Sequence, residues 1–506
     1  MTEAMLPQRR AGVVLHPTSL PGPHGCGDLG PGAYHFVDWL QVAGQTLWQT
    51  LPLGPVGLGY SPYMGSSVLA GNPMLVALEP LAARGWISAT SLQADFDALR
   101  VDFTRVEPWR MARLREAFAG FVAQNQLGDQ QALSDWALSQ RSWLEDYALF
   151  MALDQLHAPA LWTQWPSALA RREPAALDEA RRDMADELAF WQFVQWQFDT
   201  QWHALKAYAH TKEVLLVGDL PIFGAHHSAD CWARPDLYQL DDDGMPTVVA
   251  GVPPDFFSVT GQRWGNPLYD WAAMQADGFA WWIGRIRRQL ELADVIRIDH
   301  FRGFVDYWEI PADEPTAVNG SWRAGPGEAL FAALTQALGD LPIIAEDLGI
   351  ITPEVVALRE RLGFPGMRVL QFAFAGDASH PFLPHNYESN TVVYTGTHDN
   401  DTLRGWWAGC TPHERAFAQH YLGISDTEVS WAMLRAALMS VARLSLCQFQ
   451  DVLELDGSHR MNTPGTMGCW SWRFSWDWVQ PHMATTLALF TAASGRTKFH
   501  RLQLPD

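Results

Sequence analysis

The stretch PIIAEDLGIITPEVVALRERLGFPGMRVLQFAF, residues 342–374, contains the clearest strand–helix–strand unit of the chain. Its ends, PIIAED and MRVLQFAF, are short apolar runs that predict buried strands. Between them, Thr352 is a typical N-cap, Pro353 suits the first helical position and Gly363 can end the helix. Continuous apolar strands joined through a helix indicate a parallel sheet with helices covering its faces.

The same alternation of strand and helix recurs along the chain and predicts eight strands in total. We expect these strands at 12–16, 46–53, 214–219, 294–299, 342–346, 367–374, 391–396 and 444–449. Eight parallel strands alternating with helices predict a (β/α)8 TIM barrel, and a doubly wound open sheet is the alternative.

Segments that interrupt the alternation predict large insertions around the C-terminal mouth of the barrel. Residues 1–57 are expected to begin the catalytic barrel, 58–204 to form a mainly helical inserted subdomain, and 205–506 to complete the barrel. Within that last part we expect a long active-site loop region at about 220–275 and a further insertion at about 303–340.

Carboxylates stand at the ends of four predicted strands, or just after them. They are Asp219, Asp299, Glu346 and Asp399. A single acid of this kind often caps a helix or pairs with an arginine, but barrel active sites are built at the C-terminal ends of the strands. Clustered acids push their pKa values apart, which separates a proton donor from an ionised carboxylate. Paired carboxylates of this kind are the usual groups for cleaving a glycosidic bond.

Composition narrows the class of ligand. Lys+Arg 35 against Asp+Glu 56 gives a net charge of −21, which disfavours nucleic acid and anionic membranes and suits a neutral substrate. Five scattered cysteines without a C-x-x-C motif, no signal peptide and no long apolar span predict a soluble cytoplasmic protein. Most of the 25 tryptophans are expected in the core, although a sugar-binding cleft would also use indole faces.

Two motifs imitate metal sites without completing one. QLDDDGMPTVVA, residues 239–250, resembles a calcium loop but has Gln239 and Ala250 where acidic ligands belong. AHHSADC offers His226, His227 and Cys231 but no fourth ligand at a recognisable spacing. We therefore expect neither a metal nor a cofactor.

Longer motifs give the chain a specific resemblance that covers nearly its whole length. They include LHPTSLPGPHGCGDLGPGAY, SPYMGSSVLAGNP, GDLPIF, IRIDHFRGF, AEDLG, GTHDNDT and RMNTPGT. In these the chain resembles the amylomaltases, also called 4-α-glucanotransferases or disproportionating enzymes, of the α-amylase clan. The resemblance implies α-1,4-glucans and maltooligosaccharides as donors, a second glucan or glucose as acceptor, and a monomer or homodimer without a cofactor.

The resemblance also implies roles for individual residues. Asp299 looks like the nucleophile, Glu346 like the acid/base and Asp399 like the transition-state stabiliser. Residues implied in substrate binding are Tyr63, Asp219, Asp255, Phe256, Phe257, Trp264, Arg297 and His398. Arg297 would pair with Asp299, and the loop that carries Asp255 to Trp264 would lean over the cleft and shape acceptor binding. His300 points to the other face of its strand and is either structural or part of the site.

The implied reaction is a retaining double displacement, which needs the two carboxyl groups about 5–5.5 Å apart. An acceptor hydroxyl on the same long chain would give a cyclic product. The alternatives are an α-1,4-glucan hydrolase of the same clan and a glucan-binding protein without activity. The chain departs from the family pattern at Leu58, Tyr60, His226, His227 and Cys469, none of which is a catalytic group.

Overall fold

The computed structural model describes residues 8–254 and 258–497, which contain one eight-stranded and one four-stranded sheet. The strands in these residues are β1 (Arg10–Val14), β2 (Leu47–Gln49), β3 (Leu215–Leu220), β4 (Val248–Val252), β5 (Gln262–Pro267), β6 (Val295–Ile298), β7 (Asp306–Pro311), β8 (Ser321–Ala324), β9 (Ile343–Ala345), β10 (Gly366–Val369), β11 (Thr391–Tyr394) and β12 (Leu444–Gln448).

The α-helices in the same residues are α1 (Pro31–Val42), α2 (Glu79–Ala83), α3 (Phe103–Gln124), α4 (Leu127–His157), α5 (Ser167–Ala170), α6 (Pro174–Asp183), α7 (Ala185–Thr211), α8 (Ala229–Ala233), α9 (Trp271–Ala276), α10 (Ala280–Leu292), α11 (Gly327–Leu338), α12 (Pro353–Arg361), α13 (Leu403–Gly409), α14 (Pro412–Leu422), α15 (Val429–Met439), α16 (Phe449–Val452) and α17 (Pro481–Ala493). No helix in the described ranges is long and apolar enough to cross a membrane.

The larger sheet is a parallel barrel whose strands follow chain order around the ring. Its hydrogen-bonded order is β10–β11–β12–β1–β2–β3–β6–β9. The remaining gap lies between β9 and β10, where the Ala345 N–H donates to the carbonyl of Pro365 at 3.0 Å. The TIM barrel prediction is therefore confirmed, each of the eight predicted strands overlaps one barrel strand, and the doubly wound alternative is wrong.

Local sequence explains these elements. β6 reads VIRI and β11 reads TVVY, and all four residues of each strand are buried, as expected for a barrel covered by helices. α12 begins as its sequence predicts, with Thr352 at the N-cap and proline in the first turn. Gly12 lies where β1 meets β2, and a Cβ there would lie 2.3 Å from the Leu47 carbonyl oxygen. Only glycine permits this approach of the two strands.

The chain between β2 and β3 is mainly helical and contains α2 to α7. The two longest helices, α4 and α7, pack against each other. A buried ion pair between Arg288 of α10 and Asp199 of α7, 3.0 Å from Nη1 to Oδ2, attaches these helices to the barrel. The indole N–H of Trp136 on α4 donates to the same carboxylate at 2.9 Å. Removing one partner of such a pair would leave an uncompensated buried charge, which is strongly destabilising.

The four-stranded antiparallel sheet has the order β5–β4–β7–β8. β4 and β5 lie within the segment predicted as a loop region, whereas β7 and β8 lie within the separate insertion after β6. The two segments pair through β4 and β7, with Ala250 opposite Glu309. The sequence did not predict this pairing, because the partners are far apart in the chain and glycine and proline weaken the strand signal.

Candidate active site

The carboxyl ends of the adjacent strands β3, β6 and β9 carry the first group of polar residues. The parallel ladder continues one residue past β6, where the Asp299 N–H donates to the Leu220 carbonyl at 2.9 Å. It also continues past β9, where the Glu346 N–H donates to the Ile298 carbonyl at 3.0 Å. Asp299 and Glu346 therefore leave rigid strand ends at the same mouth, as barrel active sites do.

Arg297 links two of the acids. Its Nη1 donates to both oxygens of Asp219 at 2.7 and 2.9 Å, and its Nη2 donates to Asp299 Oδ1 at 2.8 Å. Burial acts to lower the pKa of Arg297, but the Asp219 and Asp299 carboxylates outweigh it and hold that pKa well above its usual value. The Asp219 side chain has no exposed surface, whereas that of Asp299 is 32 % exposed. Asp299 is thus the accessible carboxylate, with a fixed positive charge beside it.

Tyr63 joins this group from the loop after β2. Its hydroxyl donates to Asp219 Oδ2 at 2.7 Å, and its ring stacks on His398 with centroids 5.2 Å apart. Burial, with a further contribution from Asp219, raises the pKa of Tyr63 well above its usual value, so the phenol stays neutral. Asp219 therefore orients both Arg297 and Tyr63.

Glu346 is held by two backbone donors. The His300 N–H donates to Oε2 and the Leu348 N–H donates to Oε1, both at 2.7 Å. His300 has φ 53° and ψ 50°, a left-handed conformation that sets the direction of its N–H. Burial, reinforced by the charge of Asp299, raises the pKa of Glu346 to about 7. A carboxyl with this pKa can both donate and accept a proton near neutral pH, as a general acid/base must.

His300 also contributes to the wall of the mouth. Its ring lies edge-on to Trp264 of β5, with centroids 4.9 Å apart. Burial lowers the pKa of His300 to about 4, so the imidazole is neutral. The small antiparallel sheet thereby places an indole beside the residue that follows Asp299.

Asp399 follows β11 and is fixed by a second loop that follows β12. Its Oδ1 accepts from Asn462 Nδ2 at 2.6 Å and lies 3.3 Å from His398 Nε2. Arg460 donates to the Asp399 backbone carbonyl at 2.6 Å. The Asp399 side chain remains 44 % exposed. The carboxylate is thus oriented on one side and open to a ligand on the other.

The structure brings the described candidates into one connected group: Tyr63, Asp219, Trp264, Arg297, Asp299, Glu346, His398 and Asp399. Asp255, Phe256 and Phe257 lie outside the described residues. Sequence reasoning missed Asn462 and Arg460, and it missed Trp470, whose ring lies 5.8 Å from Tyr63 and 6.0 Å from His398. These residues occur in a loop without periodicity. The family motif RMNTPGT, residues 460–466, could have drawn attention to Arg460 and Asn462, and Trp470 lies outside it.

The residues of the AHHSADC motif are engaged in structural contacts. His226 Nε2 lies 2.8 Å from the Gly244 carbonyl, His227 Nε2 lies 2.7 Å from Asp154 Oδ1, and Cys231 is buried. Elsewhere in the described residues, a group of His24, Asp28 and Glu79 has possible ligand atoms within 4.8 Å of one another. Its Asp28 already accepts from Arg110 at 3.0 Å, so one of the three carries an ion pair.

Comparison with known proteins gives consistent matches. The model of a family described as 4-alpha-glucanotransferase matches residues 15–479. A 4-alpha-glucanotransferase of Thermus thermophilus is 50% identical over 497 residues, 96% of this chain and 99% of that protein. One of Synechocystis sp. is 46% identical over 503 residues, 98% of this chain and 100% of that protein. The structure of an amylomaltase from Streptococcus agalactiae in complex with acarbose has a TM-score of 0.94 at 37% identity, covering 97% of this chain and 100% of that one.

Proposed function

The chain belongs to the 4-alpha-glucanotransferase family, and we propose that it transfers α-1,4-glucan segments by a retaining double displacement at Asp299 and Glu346. The observation that carries this proposal is the pair of unlike carboxyl groups at one mouth. Asp299 is accessible and touches Arg297, whereas Glu346 is buried with a pKa raised to about 7 by that burial and by Asp299. The first arrangement suits a nucleophile and the second suits a proton donor.

In the first displacement, protonated Glu346 donates its proton to the glycosidic oxygen while an oxygen of Asp299 attacks the anomeric carbon. The bond from that carbon to the leaving glucan breaks, and the new bond to Asp299 gives a glycosyl-enzyme. Arg297 balances the charge of Asp299, and the backbone N–H groups of His300 and Leu348 then stabilise the ionised Glu346.

In the second displacement, ionised Glu346 takes the proton of an acceptor 4-hydroxyl. That oxygen attacks the anomeric carbon, and the carbon–oxygen bond to Asp299 breaks. Two inversions retain the α configuration. We assign Asp399 and His398 to hydroxyl groups of the sugar at the cleavage point, and Asp219 to the orientation of Arg297 and Tyr63, since its carboxylate has no exposed surface.

We propose maltooligosaccharides and amylose as donors and a second glucan or glucose as acceptor. The Streptococcus agalactiae relative was solved with acarbose, an oligosaccharide analogue, and it aligns over nearly the whole chain. Trp264 supplies an apolar ring face beside His300, where the C–H face of an acceptor sugar can pack.

The product profile from maltotriose tests the function. A transferase converts maltotriose into a ladder of longer and shorter chains, whereas an α-1,4-glucan hydrolase gives only shorter sugars. We expect the ladder, and the family assignment does not favour the hydrolase. Exclusive formation of glucose and maltose would contradict the proposal.

We also propose a reducing cytoplasmic location and a monomer or homodimer. None of the five cysteines forms a disulfide, and this fits a reducing compartment because disulfides form and persist in oxidising ones. Cell fractionation and light scattering of the purified protein would test these two statements.

A further inference from the structure

Trp322 is the most exposed tryptophan in the described ranges, with 37 % of its surface accessible. All 25 tryptophans lie in those ranges, and the others are buried or partly buried. It belongs to β8, an edge strand of the small sheet whose four residues are all exposed. Leaving an indole in water forgoes the free energy of its burial, so an exposed indole on an edge strand is a candidate for ligand contact.

One face of this indole packs against the guanidinium group of Arg302. The guanidinium carbon of Arg302 lies 3.7 Å from the Trp322 ring centroid. Arg302 is itself fixed by two hydrogen bonds to Asp306, at 2.7 and 2.9 Å. Trp308, which is opposite Trp322 in the register of β7 and β8, packs against its ring with centroids 5.2 Å apart. An aromatic face held in this way loses little conformational freedom when a ligand binds.

The same contacts place Trp322 beside the catalytic loops. Arg302 lies in the short turn that follows Asp299, and its Nη1 donates to the carbonyl of Ile350 in the loop that follows Glu346. The Ile350 side chain is 58 % exposed. Trp322 and Ile350 are therefore two exposed apolar side chains joined through one arginine, next to the ends of β6 and β9.

We propose that Trp322 and Ile350 form an outer binding site for an α-1,4-glucan chain at the β6–β9 side of the mouth. The apolar C–H face of a glucose ring would stack on the open face of the indole. Asp306 neutralises the charge of Arg302, so the surface suits an uncharged ligand. One indole and one isoleucine are also far too small for a stable protein interface, which buries about 800 Å² on each partner. This inference rests on the proposed function, because the ligand is the donor or acceptor chain of that reaction.

The test compares a long and a short substrate in Trp322→Ala and Trp322→Phe. We expect Trp322→Ala to raise the KM for amylose about two- to tenfold, which corresponds to the free energy of one aromatic contact. The KM for maltotriose should rise by a smaller factor. Trp322→Phe keeps an aromatic face and should recover most of the affinity. Native electrophoresis through amylose gels measures the same binding without turnover, and Trp322→Ala should be retarded less than the wild type.

Leu156→Ala is the matched control, because it removes another exposed apolar side chain, 63 % accessible, from α4. It should behave like the wild type in both assays. The outer site is refuted if Trp322→Ala has the wild-type KM for amylose, or if its KM rises by the same factor for maltotriose as for amylose. In either case, transfer by the wild type would still support the proposed function. Wild-type protein that makes no transfer products would refute the proposed function and the ligand assignment together.

Discussion

At the scale of single residues, Glu346 is where burial and charge decide the chemistry. Its pKa is raised to about 7, first by burial and then by Asp299, so the carboxyl is protonated below that pH and loses its proton as the pH rises. The proposed first displacement needs the protonated form. We predict that kcat/KM for maltotriose falls above pH about 7, by about tenfold per pH unit once the proton is largely lost. A pH–rate profile at fixed ionic strength measures this.

Glu346→Gln separates the acid role from a structural one. Fluoride leaves a glycosyl fluoride donor without protonation by a general acid. The variant should therefore still release a burst of fluoride, while its activity on maltotriose falls by at least about a hundredfold. The rate of this fluoride burst should no longer fall as the pH rises above about 7. Equal losses on both donors would mean that Glu346 is not the proton donor.

Asn462 gives a second prediction at this scale. Its amide donates to Asp399 Oδ1 at 2.6 Å and orients a half-exposed carboxylate. Hydrogen bonds to charged groups contribute about 1.5–3 kcal/mol, so Asn462→Ala should lower kcat/KM about 10- to 150-fold. Asn462→Asp should lower kcat/KM further, because it places a second carboxylate against that of Asp399. Activity of Asn462→Asp at the level of the wild type would show that this contact does not orient Asp399.

The acids at the strand ends could be predicted from the sequence because strand periodicity and barrel geometry fix where such residues point. The resemblance then supplied a role for each. Asn462 and the left-handed conformation of His300 could not be predicted in this way. Both depend on tertiary contacts to Asp399 and Glu346 that no local pattern encodes.

At the level of secondary-structure elements, the small sheet places an indole beside His300, the residue that follows Asp299. β5 holds Trp264 against the ring of His300. An acceptor sugar can outcompete water only if the site positions it, and the Trp264 ring is a surface that could do so. We predict that Trp264→Ala raises the ratio of hydrolysis to transfer on maltotriose severalfold while total activity falls. Trp264→Phe is the control, and it should keep most of the transfer. A ratio unchanged in Trp264→Ala would assign this indole to packing.

Elements differ in how far the sequence predicts them. The helix α12 has a capping residue, a proline in its first turn and a glycine after its end, so its bounds were predictable. The strands β4 and β7 pair across a long stretch of chain, and Gly251 weakens the strand signal of β4, which reads VVAGV. Their sheet therefore became visible only in the structure.

At the scale of the whole molecule, closure of the barrel depends on close strand packing. A Cβ at Gly12 would lie 2.3 Å from the Leu47 carbonyl oxygen, so β1 and β2 would have to separate. We predict that Gly12→Ala lowers the free energy of unfolding by about 1–3 kcal/mol or more, as measured by urea denaturation.

Gly284→Ala is the control for that prediction. Gly284 lies inside α10, and an added Cβ there would meet nothing within 4 Å. This variant should gain about 0.5–1 kcal/mol, because alanine favours the helix. A Gly12→Ala variant as stable as the wild type would mean that the barrel strands can adjust at this point.

The order of the barrel strands could be predicted because eight apolar runs alternate with helices, and that pattern has few solutions. The connection of the helical segment to the barrel could not. It includes the ion pair of Arg288 with Asp199, and composition does not reveal that these two charged residues are buried together.

The assignment of Asp299 as the nucleophile is tested by mass spectrometry of the trapped glycosyl-enzyme. A fluorinated glucosyl fluoride donor should form a stable adduct, and peptide mapping should place it on Asp299 in the wild type. Asp299→Asn should remain folded, since this side chain faces the mouth, and should form no adduct. An adduct on Glu346, Asp399 or any other carboxylate of the active wild type would show that Asp299 is not the nucleophile.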